Sequence, residues 1–258
     1  MKMPLTKAFK KEIASLADSK GRRKSGAFIV EGTKCVLDTL DAFNLRHLIA
    51  TPAWADGHAK ENDFDGKLIL ANRGEIGEMS SMTLAPDVIA VYDLPQEIPF
   101  EPQELQNQLV LALDRIQDPG NLGTIMRCAD WMGVSTILAS DDTVDCFNPK
   151  AIQATMGAIA RVHIIYGDLA GMIKKFEGTV PVYGTFLEGE NIYAASLSSN
   201  GIIVMGNEGK GISDKVAALV TKKLLIPSYP PSRPTSESLN VAMASSIVLS
   251  QFRSRLMK

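Results

Sequence analysis

Residues that could bind and orient a polar ligand concentrate in two stretches of the C-terminal quarter of the chain. The first, residues 206–213, carries Asn207 and Glu208 among three closely spaced glycines, which let a backbone turn sharply and approach a ligand. The second is Ser238-Leu239-Asn240, which precedes a segment with helical periodicity. The alternative interpretation is a tight turn in the first stretch and a helix N-cap at Ser238.

Two predicted strands and one predicted helix position these side chains. An apolar run, residues 201–205, leads directly into the glycine-rich stretch, and a second run, residues 222–226, is stopped by Pro227. Ligands of open α/β sheets bind outside the carboxyl ends of the strands. We therefore expect the polar residues to share one binding crevice.

The rest of the chain alternates between apolar strands and amphipathic helices, which predicts an α/β protein. A helix is predicted over residues 4–19 and a basic turn over 20–24. Prolines and charges without periodicity predict a linker over 95–107, between a small N-terminal α/β domain (1–94) and a larger domain (108–258). The predicted strands are 27–30, 45–50, 67–70, 87–92, 109–113, 134–139, 162–166, 180–184, 201–205 and 222–226.

Composition narrows the possible function classes. No stretch approaches the roughly 20 uninterrupted apolar residues of a membrane span. The Lys-rich N-terminus lacks the apolar core of a signal peptide, so we expect a cytoplasmic protein with no membrane partner. Cys35, Cys128 and Cys146 are too widely spaced for a disulfide framework, and free thiols fit a reducing compartment. The three scattered histidines form no metal-binding pattern, so no metal is expected.

Positive charge is concentrated near the N-terminus, although the chain has a net charge of −2. Residues 1–34 hold nine Lys/Arg against three Asp/Glu. Lys20, Arg22, Arg23 and Lys24 form a cluster of the kind that contacts nucleic-acid phosphates. A solvated basic turn is the alternative.

Two nucleotide-binding motifs do not fit the glycine-rich stretch. A phosphate-binding loop of nucleotide hydrolases needs Ser or Thr after its lysine and an earlier glycine. Here Gly211 follows Lys210, and Val204 stands at the earlier glycine position. A dinucleotide-binding fold needs Gly-x-Gly-x-x-Gly after the first strand, whereas these glycines follow a late strand with a different spacing.

Three motifs together resemble those of the SpoU/TrmH RNA 2′-O-ribose methyltransferases. Leu113-Asp114, residues 117–125 (QDPGNLGTI) and Arg127 together resemble the first motif, and residues 205–211, MGNEGKG, are similar to the second. Ile226-Pro227 with residues 238–242, SLNVA, resembles the third, and residues 148–158, NPKAIQATMGA, match an intermediate segment. The N-terminal part is similar to the accessory substrate-binding domain of the family, which resembles a ribosomal-protein RNA-binding fold.

The resemblance implies a doubly wound C-terminal sheet with a deep trefoil knot, and a homodimer formed through the knotted domain. It implies methyl transfer from S-adenosylmethionine to a ribose 2′-hydroxyl of structured RNA, rather ribosomal RNA than transfer RNA. The residues implied for catalysis are Asn121, Arg127, Glu208, Ser238 and Asn240. Those implied for cofactor binding are Thr185, Gly206, Asn207, Gly209, Ile226, Pro227 and Leu239. Those proposed for RNA binding are Lys20, Arg22, Arg23 and Lys24.

Three questions stay open at the level of sequence. Residues 228–237 make the loop inside the third motif longer than is usual in the family, which leaves the local shape of the cofactor pocket undetermined, and Thr155 stands where serine is common. Arg127 could activate the ribose hydroxyl or hold a phosphate with two parallel hydrogen bonds. The alternative function is a non-enzymatic RNA-binding protein that retains the knotted fold.

Overall fold

The computed structural model describes residues 5–58, 64, 66–96, 99–230 and 238–254. The chain divides into two compact units, one made of Met1–Gln96 and Asp145–Ala160 and the other of Glu97–Val144 and Arg161–Lys258. The sequence predicted a continuous second domain from residue 108 onwards. Instead, the segment Asp145–Ala160 packs as part of the first unit.

The helices and strands of the described residues alternate along the whole chain. The helices are α1 (Lys7–Ser15), α2 (Ser19–Ser25), α3 (Thr33–Thr39), α4 (Pro52–His58), α5 (Arg73–Met79), α6 (Pro102–Leu105), α7 (Pro119–Trp131), α8 (Pro149–Thr155), α9 (Leu169–Lys174), α10 (Asp214–Ala217) and α11 (Val241–Ser254). The strands are β1 (Ala27–Glu31), β2 (Leu45–Ala50), β3 (Leu68–Leu70), β4 (Val88–Asp93), β5 (Leu109–Asp114), β6 (Thr136–Ser140), β7 (His163–Gly167), β8 (Val182–Asn191), β9 (Gly201–Gly206) and β10 (Lys222–Leu225). None of these helices has both the length and the apolar character needed to cross a membrane.

The first unit is built on a four-stranded mixed sheet in the order β1-β4-β2-β3. Strand β4 pairs antiparallel with β1 and β2, and β2 pairs parallel with β3. One face of the sheet carries Phe28 and Tyr92 and is covered in part by α8 through Ile152. The other face packs against α1 and α5 through Ile13 and Ile76. The prediction of a small N-terminal α/β unit is confirmed.

The N-terminal segment forms two short helices where the sequence predicted one helix followed by a basic turn. Helix α1 ends at Ser15, and the basic residues form α2. The two helices touch at Gly21, where an added Cβ atom would lie 1.9 Å from the carbonyl oxygen of Ser15. Only glycine permits this approach, and helix α2 then ends at Gly26 in the left-handed conformation (φ 61°).

The four residues of the basic cluster differ in their burial. Arg22 is 2% exposed, and its Nε and Nη2 atoms donate to Asp145 Oδ2 over 3.0 and 2.6 Å. Its Nη1 atom donates to the carbonyl oxygens of Leu16 and Ala17. The prediction that Arg22 contacts RNA phosphates is therefore wrong, because its guanidinium is bonded inside the first unit. The other three members of the cluster are exposed: Lys20, Arg23 and Lys24.

The second unit contains a six-stranded sheet in the order β10-β8-β9-β5-β6-β7, and all of its strand pairs are parallel. On one face, Val110 and Val204 pack with residues of α9 and α10. On the other face, α11 packs beside α7, and the ring of Phe252 meets that of Tyr183 edge-on at a centroid distance of 4.9 Å. Helices therefore cover both faces, and the predicted doubly wound α/β sheet is confirmed.

The predicted strand positions are confirmed to within two residues at each end, with the exception of the C-terminal end of β8. This strand extends to Asn191, because its polar second half pairs with β10 after a register shift between Lys223 and Leu224. An apolar pattern that stops at Gly184 could not indicate this extension.

Candidate active site

The carboxyl ends of β5 and β9 lie side by side, and the site is built on them. Asp114, the last residue of β5, is in register with Gly206, the last residue of β9. Both strands are buried apolar runs, so each polar chain segment emerges at the same edge of the sheet. This edge carries the residues that the sequence predicted to share one crevice.

The glycine-rich stretch, residues 206–213, is a closed loop. Asn207 and Gly211 form an antiparallel bridge with backbone hydrogen bonds of 3.1 and 2.8 Å. A Cβ atom at Gly206 would lie 2.4 Å from the backbone carbon of Gly211, so the two legs of the loop are in contact and this position requires glycine. Glu208 stands inside the turn that the bridge closes.

The side chain of Asn207 stabilises this loop through hydrogen bonds. Its Oδ1 atom accepts from the backbone N–H groups of Gly209 and Lys210, each over 3.0 Å, and its Nδ2 atom donates to the carbonyl oxygen of Arg115 over 2.9 Å. The amide expected to bind a cofactor is thus occupied by structural hydrogen bonds. The backbone N–H and carbonyl groups of Asn207 are also engaged, in the bridge to Gly211, so this residue shapes the loop.

Three of the five predicted catalytic residues form one chain of hydrogen bonds. Asn240 Nδ2 donates to Asn121 Oδ1 over 2.9 Å, and Asn121 Nδ2 donates to the Glu208 carboxylate. Asn240 Oδ1 in turn accepts from the backbone N–H groups of Ala242 and Met243, which caps α11. Every amide in this chain has its orientation fixed, because a carboxylate can only accept and the helix N–H groups can only donate.

The caps of α7 and α11 are Asp118 and Asn240, so the alternative interpretation of Ser238 as the N-cap is wrong. Asp118 caps α7, because its Oδ1 atom accepts from the N–H group of Asn121 over 2.7 Å. The amide of Asn121 is therefore free of capping and joins the chain just described. At α11 the cap is Asn240, and Ser238 lies two residues earlier, exposed to solvent.

Arg127 lies on α7, six residues after Asn121, and is exposed. Six residues of an α-helix put the two side chains about 120° apart around the helix axis, so Arg127 stands on another side of the helix from the Asn121 amide. Within the described part of the chain, its guanidinium makes no hydrogen bond and no ion pair. Among the described residues nothing occupies the donors that Arg127 could present to a ligand.

Most residues predicted to hold a cofactor lie on or after β8, β9 and β10, which are adjacent in the sheet: Thr185 is within β8, Gly206 ends β9, Asn207 and Gly209 follow it, and Ile226 and Pro227 follow β10. The hydroxyl of Thr185 donates to the carbonyl oxygen of Val204 over 3.4 Å, which ties β8 to β9. Ile226 and Pro227 are part-buried after β10, and Leu239 is 47% exposed. Gly209 is exposed at the tip of the glycine-rich loop. Residues 231–237 of the long loop predicted over 228–237 lie outside the described residues.

Sequence models of two families match the chain. The SpoU rRNA Methylase family matches residues 108–250, and the MRM3-like substrate binding domain matches residues 9–97. The first match alone covers more than half of the chain. The chain belongs to the SpoU rRNA methylase family.

Relatives of this SpoU family member include two bacterial enzymes. The 23S rRNA (guanosine(2553)-2′-O)-methyltransferase RlmP of Bacillus subtilis is 29% identical over 254 residues, which are 94% of this chain and 95% of the relative. The 23S rRNA (guanosine-2′-O-)-methyltransferase RlmB of Neisseria meningitidis is 34% identical over 148 residues, or 56% of this chain and 58% of RlmB. The first likeness therefore extends over both units.

Solved structures of the same family superpose on nearly the whole chain. A protein of the TrmH family of RNA methyltransferases from Porphyromonas gingivalis has a TM-score of 0.87 and 36% identity, with 98% of this chain and 100% of that chain covered. An AdoMet-bound rRNA methyltransferase from Sinorhizobium meliloti has a TM-score of 0.85 and 28% identity, with 99% and 98% covered. The architecture of this SpoU family member is therefore that of the family.

Two residues of the family motifs had no role assigned from sequence. Asp114 is 2% exposed, and its Oδ2 atom accepts from the N–H group of Ser213 over 2.6 Å. Arg115 bonds the loop at both legs and has a positive φ of 61°. Asp114 was visible in the first motif, whereas no sequence signal marks Arg115, since non-glycine residues with positive φ follow no simple pattern.

Proposed function

We propose that this chain transfers the methyl group of S-adenosylmethionine to a ribose 2′-hydroxyl of ribosomal RNA. The observation that carries the proposal is the hydrogen-bonded chain Asn240–Asn121–Glu208, which lies at the carboxyl edge of the sheet in a member of the SpoU family. These side chains come from three separate parts of the sequence. Their fixed mutual orientation suits them to position a reacting group.

The chemistry of the residues after β8, β9 and β10 fits S-adenosylmethionine. The apolar surfaces of Ile226 and Leu239 suit the faces of an adenine ring. The backbone of β8 beside Thr185 and the end of β9 at Gly206 offer hydrogen bonds for its edge and for the ribose. When bound, the cofactor supplies a methyl group on a positively charged sulfonium.

The Glu208 carboxylate is the acceptor at the end of the hydrogen-bonded chain. Asn121 occupies one of its oxygens, Oε1, and the other oxygen can accept a hydrogen bond from a hydroxyl group. Its position is fixed through Asn121 by Asn240, which is itself held by the first turn of α11. We assign to Glu208 the role of orienting the ribose hydroxyl and to the two asparagines the role of holding Glu208 in place.

Arg127 acts on the RNA backbone. A guanidinium keeps its proton at neutral pH and presents two parallel donors to a phosphate. The guanidinium of Arg127 is exposed and makes no ion pair with the described residues, so it is suited to hold a phosphate next to the target nucleotide and so to place its ribose. Ser238, which is exposed close to Asn240, completes the set of proposed catalytic residues.

Ribosomal RNA is favoured over transfer RNA by the relatives. RlmP, whose likeness covers both units of this chain, is named for 23S rRNA, and the match to the MRM3-like substrate binding domain covers residues 9–97. In the first unit, Lys20, Arg23 and Lys24 are exposed and suited to phosphate contacts. We assign RNA binding to these three residues.

Three further properties belong to the same proposal. A homodimer through the second unit is supported by Met243, which lies on α11 and is 65% exposed although its helix is mainly apolar. A trefoil knot, which the resemblance to the SpoU/TrmH family implies, is supported by the superposition on solved methyltransferase structures over nearly the whole chain. A cytoplasmic location is supported by Cys35, Cys128 and Cys146, which form no disulfide bond within the described residues.

The test is methyl transfer from S-[methyl-³H]adenosylmethionine to RNA that lacks modifications. Transcribed 23S rRNA and a mixture of transcribed transfer RNAs serve as parallel substrates. We expect label in the ribosomal RNA within alkali-resistant dinucleotides, because a methylated 2′-oxygen cannot assist cleavage of the adjacent phosphodiester bond. Binding of RNA without any transfer would contradict the proposal and favour the non-enzymatic RNA-binding alternative.

A further inference from the structure

Resting on the proposed function, we infer that Arg115 is a positioning residue for the reaction, which fixes the glycine-rich loop and thereby the Glu208 carboxylate. Arg115 directly follows β5, whereas Glu208 follows β9. The two are linked by contacts that span more than 90 residues of sequence.

Arg115 bonds both legs of the loop. Its carbonyl oxygen accepts from Asn207 Nδ2 over 2.9 Å on the leg that leads to Glu208. Its Nη2 atom donates to the carbonyl oxygen of Gly211 over 3.3 Å on the returning leg. Because the two legs also touch each other, holding both at one residue fixes the turn between them.

The neighbouring Asp114 completes this attachment. Its buried carboxylate accepts from the N–H group of Ser213 through Oδ2, while Oδ1 lies 3.5 Å from Arg115 Nε. Arg115 Nε is buried and has no hydrogen-bond partner among the residues that the structure describes, so the charge of Asp114 compensates it. Arg115 and Asp114 therefore hold the returning leg of the loop through hydrogen bonds with Gly211 and Ser213.

The backbone of Arg115 is unusual in a way that fits this role. Its φ of 61° lies in the left-handed region, which non-glycine side chains rarely adopt. Its N–H group donates to Ser140 Oγ over 2.8 Å, so the strained conformation is held from the neighbouring strand β6. Glycine would adopt the backbone conformation of residue 115 with less strain, but it would lack the guanidinium that bonds the loop.

The position of the loop determines the position of Glu208 and thereby affects the hydrogen-bonded residues Asn121 and Asn240. Glu208 lies between Asn207 and Gly211, the two loop residues that Arg115 bonds. Its carboxylate meets Asn121, which meets Asn240. A more mobile loop would therefore displace the Glu208 carboxylate, which Asn121 and Asn240 hold in place.

The informative substitution is Arg115→Gly, since glycine accepts the positive φ and only the guanidinium is lost. The conservative partner is Arg115→Lys, which keeps a donor for the Gly211 carbonyl. The matched control is Arg161→Ala, which removes an arginine that pairs with Asp130 in the same unit. All are compared at full length with the parent protein.

The first readout is hydrogen–deuterium exchange of a peptide containing residues 206–213. We expect faster exchange in Arg115→Gly, an intermediate rate in Arg115→Lys and the parental rate in Arg161→Ala, with β5 and β9 unchanged. Parental exchange of the loop in Arg115→Gly overturns the inference. So does faster exchange throughout the second unit with a lowered melting temperature, because that result indicates a general structural role.

The second readout is kcat for transfer to transcribed 23S rRNA in a double-mutant cycle with Glu208→Gln. We expect Arg115→Gly to lower kcat by roughly tenfold in the parent and to have little further effect in Glu208→Gln. Equal losses in both backgrounds overturn the inference. If the parent protein transfers no methyl group, the proposed function fails, and the exchange measurement still decides the role of Arg115.

Discussion

Arg127 is exposed on α7 and stands apart from the hydrogen-bonded chain of Asn121, Glu208 and Asn240. If it holds a phosphate, Arg127→Ala should abolish transfer and leave the affinity for S-adenosylmethionine nearly unchanged. Arg127→Lys should also be poor, because an ammonium group lacks the planar pair of donors. Transfer per folded molecule, cofactor affinity by calorimetry and melting temperature are measured on the same samples.

The matched control for this prediction is Lys174→Ala, which removes an exposed cation on α9 in the same unit. Its transfer rate should equal that of the parent protein. Near-normal transfer by a folded Arg127→Ala protein would remove Arg127 from the catalytic residues. Loss of stability in both Arg127 variants with retained specific activity would indicate a structural ion pair instead.

The sequence predicted the types of residue in the site better than their individual roles. Asn121, Glu208 and Asn240 were all predicted, and the structure joins them directly. The internal use of the Asn207 amide and the part played by Arg115 were missed. Both depend on which strand ends are adjacent, and a motif within one segment carries no information about contacts to another.

At the scale of elements, α2 shows how a tertiary contact overrides a pattern of charge. Four basic residues in a stretch of five indicated a surface for phosphates, but Arg22 turns inward to Asp145, 123 residues later. The side chain of Arg22 is 3% exposed, and a charge buried to this degree needs a partner of opposite sign. Hence the segment Asp145–Ala160, which the sequence placed in the second domain, belongs to the fold of the first unit.

This pair yields a prediction for stability. Asp145→Asn keeps the shape of the side chain and removes the charge that compensates Arg22. We expect the free energy of unfolding of the first unit to fall by about 2–4 kcal/mol, somewhat less than for a fully buried pair, because the Asp145 side chain is 39% exposed. Denaturant unfolding monitored by the fluorescence of Trp54, which lies in the core of this unit, measures the change.

The control for this prediction is Arg23→Ala, the exposed neighbour of Arg22 on α2. Its effect on stability should stay within about 0.5 kcal/mol, whereas its RNA affinity should fall and depend less steeply on salt, since one phosphate contact is lost. Equal stability of Asp145→Asn and the parent would show that the pair between α2 and Asp145 contributes nothing to the fold.

At the scale of the whole molecule, alternating strands and helices were enough to predict two α/β units and nearly all strand positions. The order of the strands was not predictable, because the sheet order β10-β8-β9-β5-β6-β7 follows from long-range packing. The discontinuity of the first unit was not predictable either, because it depends on Phe147 and Ile152, which join a core made by residues far upstream.

The central claim is that this SpoU family member methylates a ribose of ribosomal RNA. It is tested most directly by mapping 2′-O-methyl groups across the ribosomal and transfer RNA of a strain that lacks the protein. We expect the loss of one site in ribosomal RNA, restored by the parent gene and not by Arg127→Ala produced at equal level. An unchanged map of ribosomal RNA, or restoration by Arg127→Ala, would contradict it.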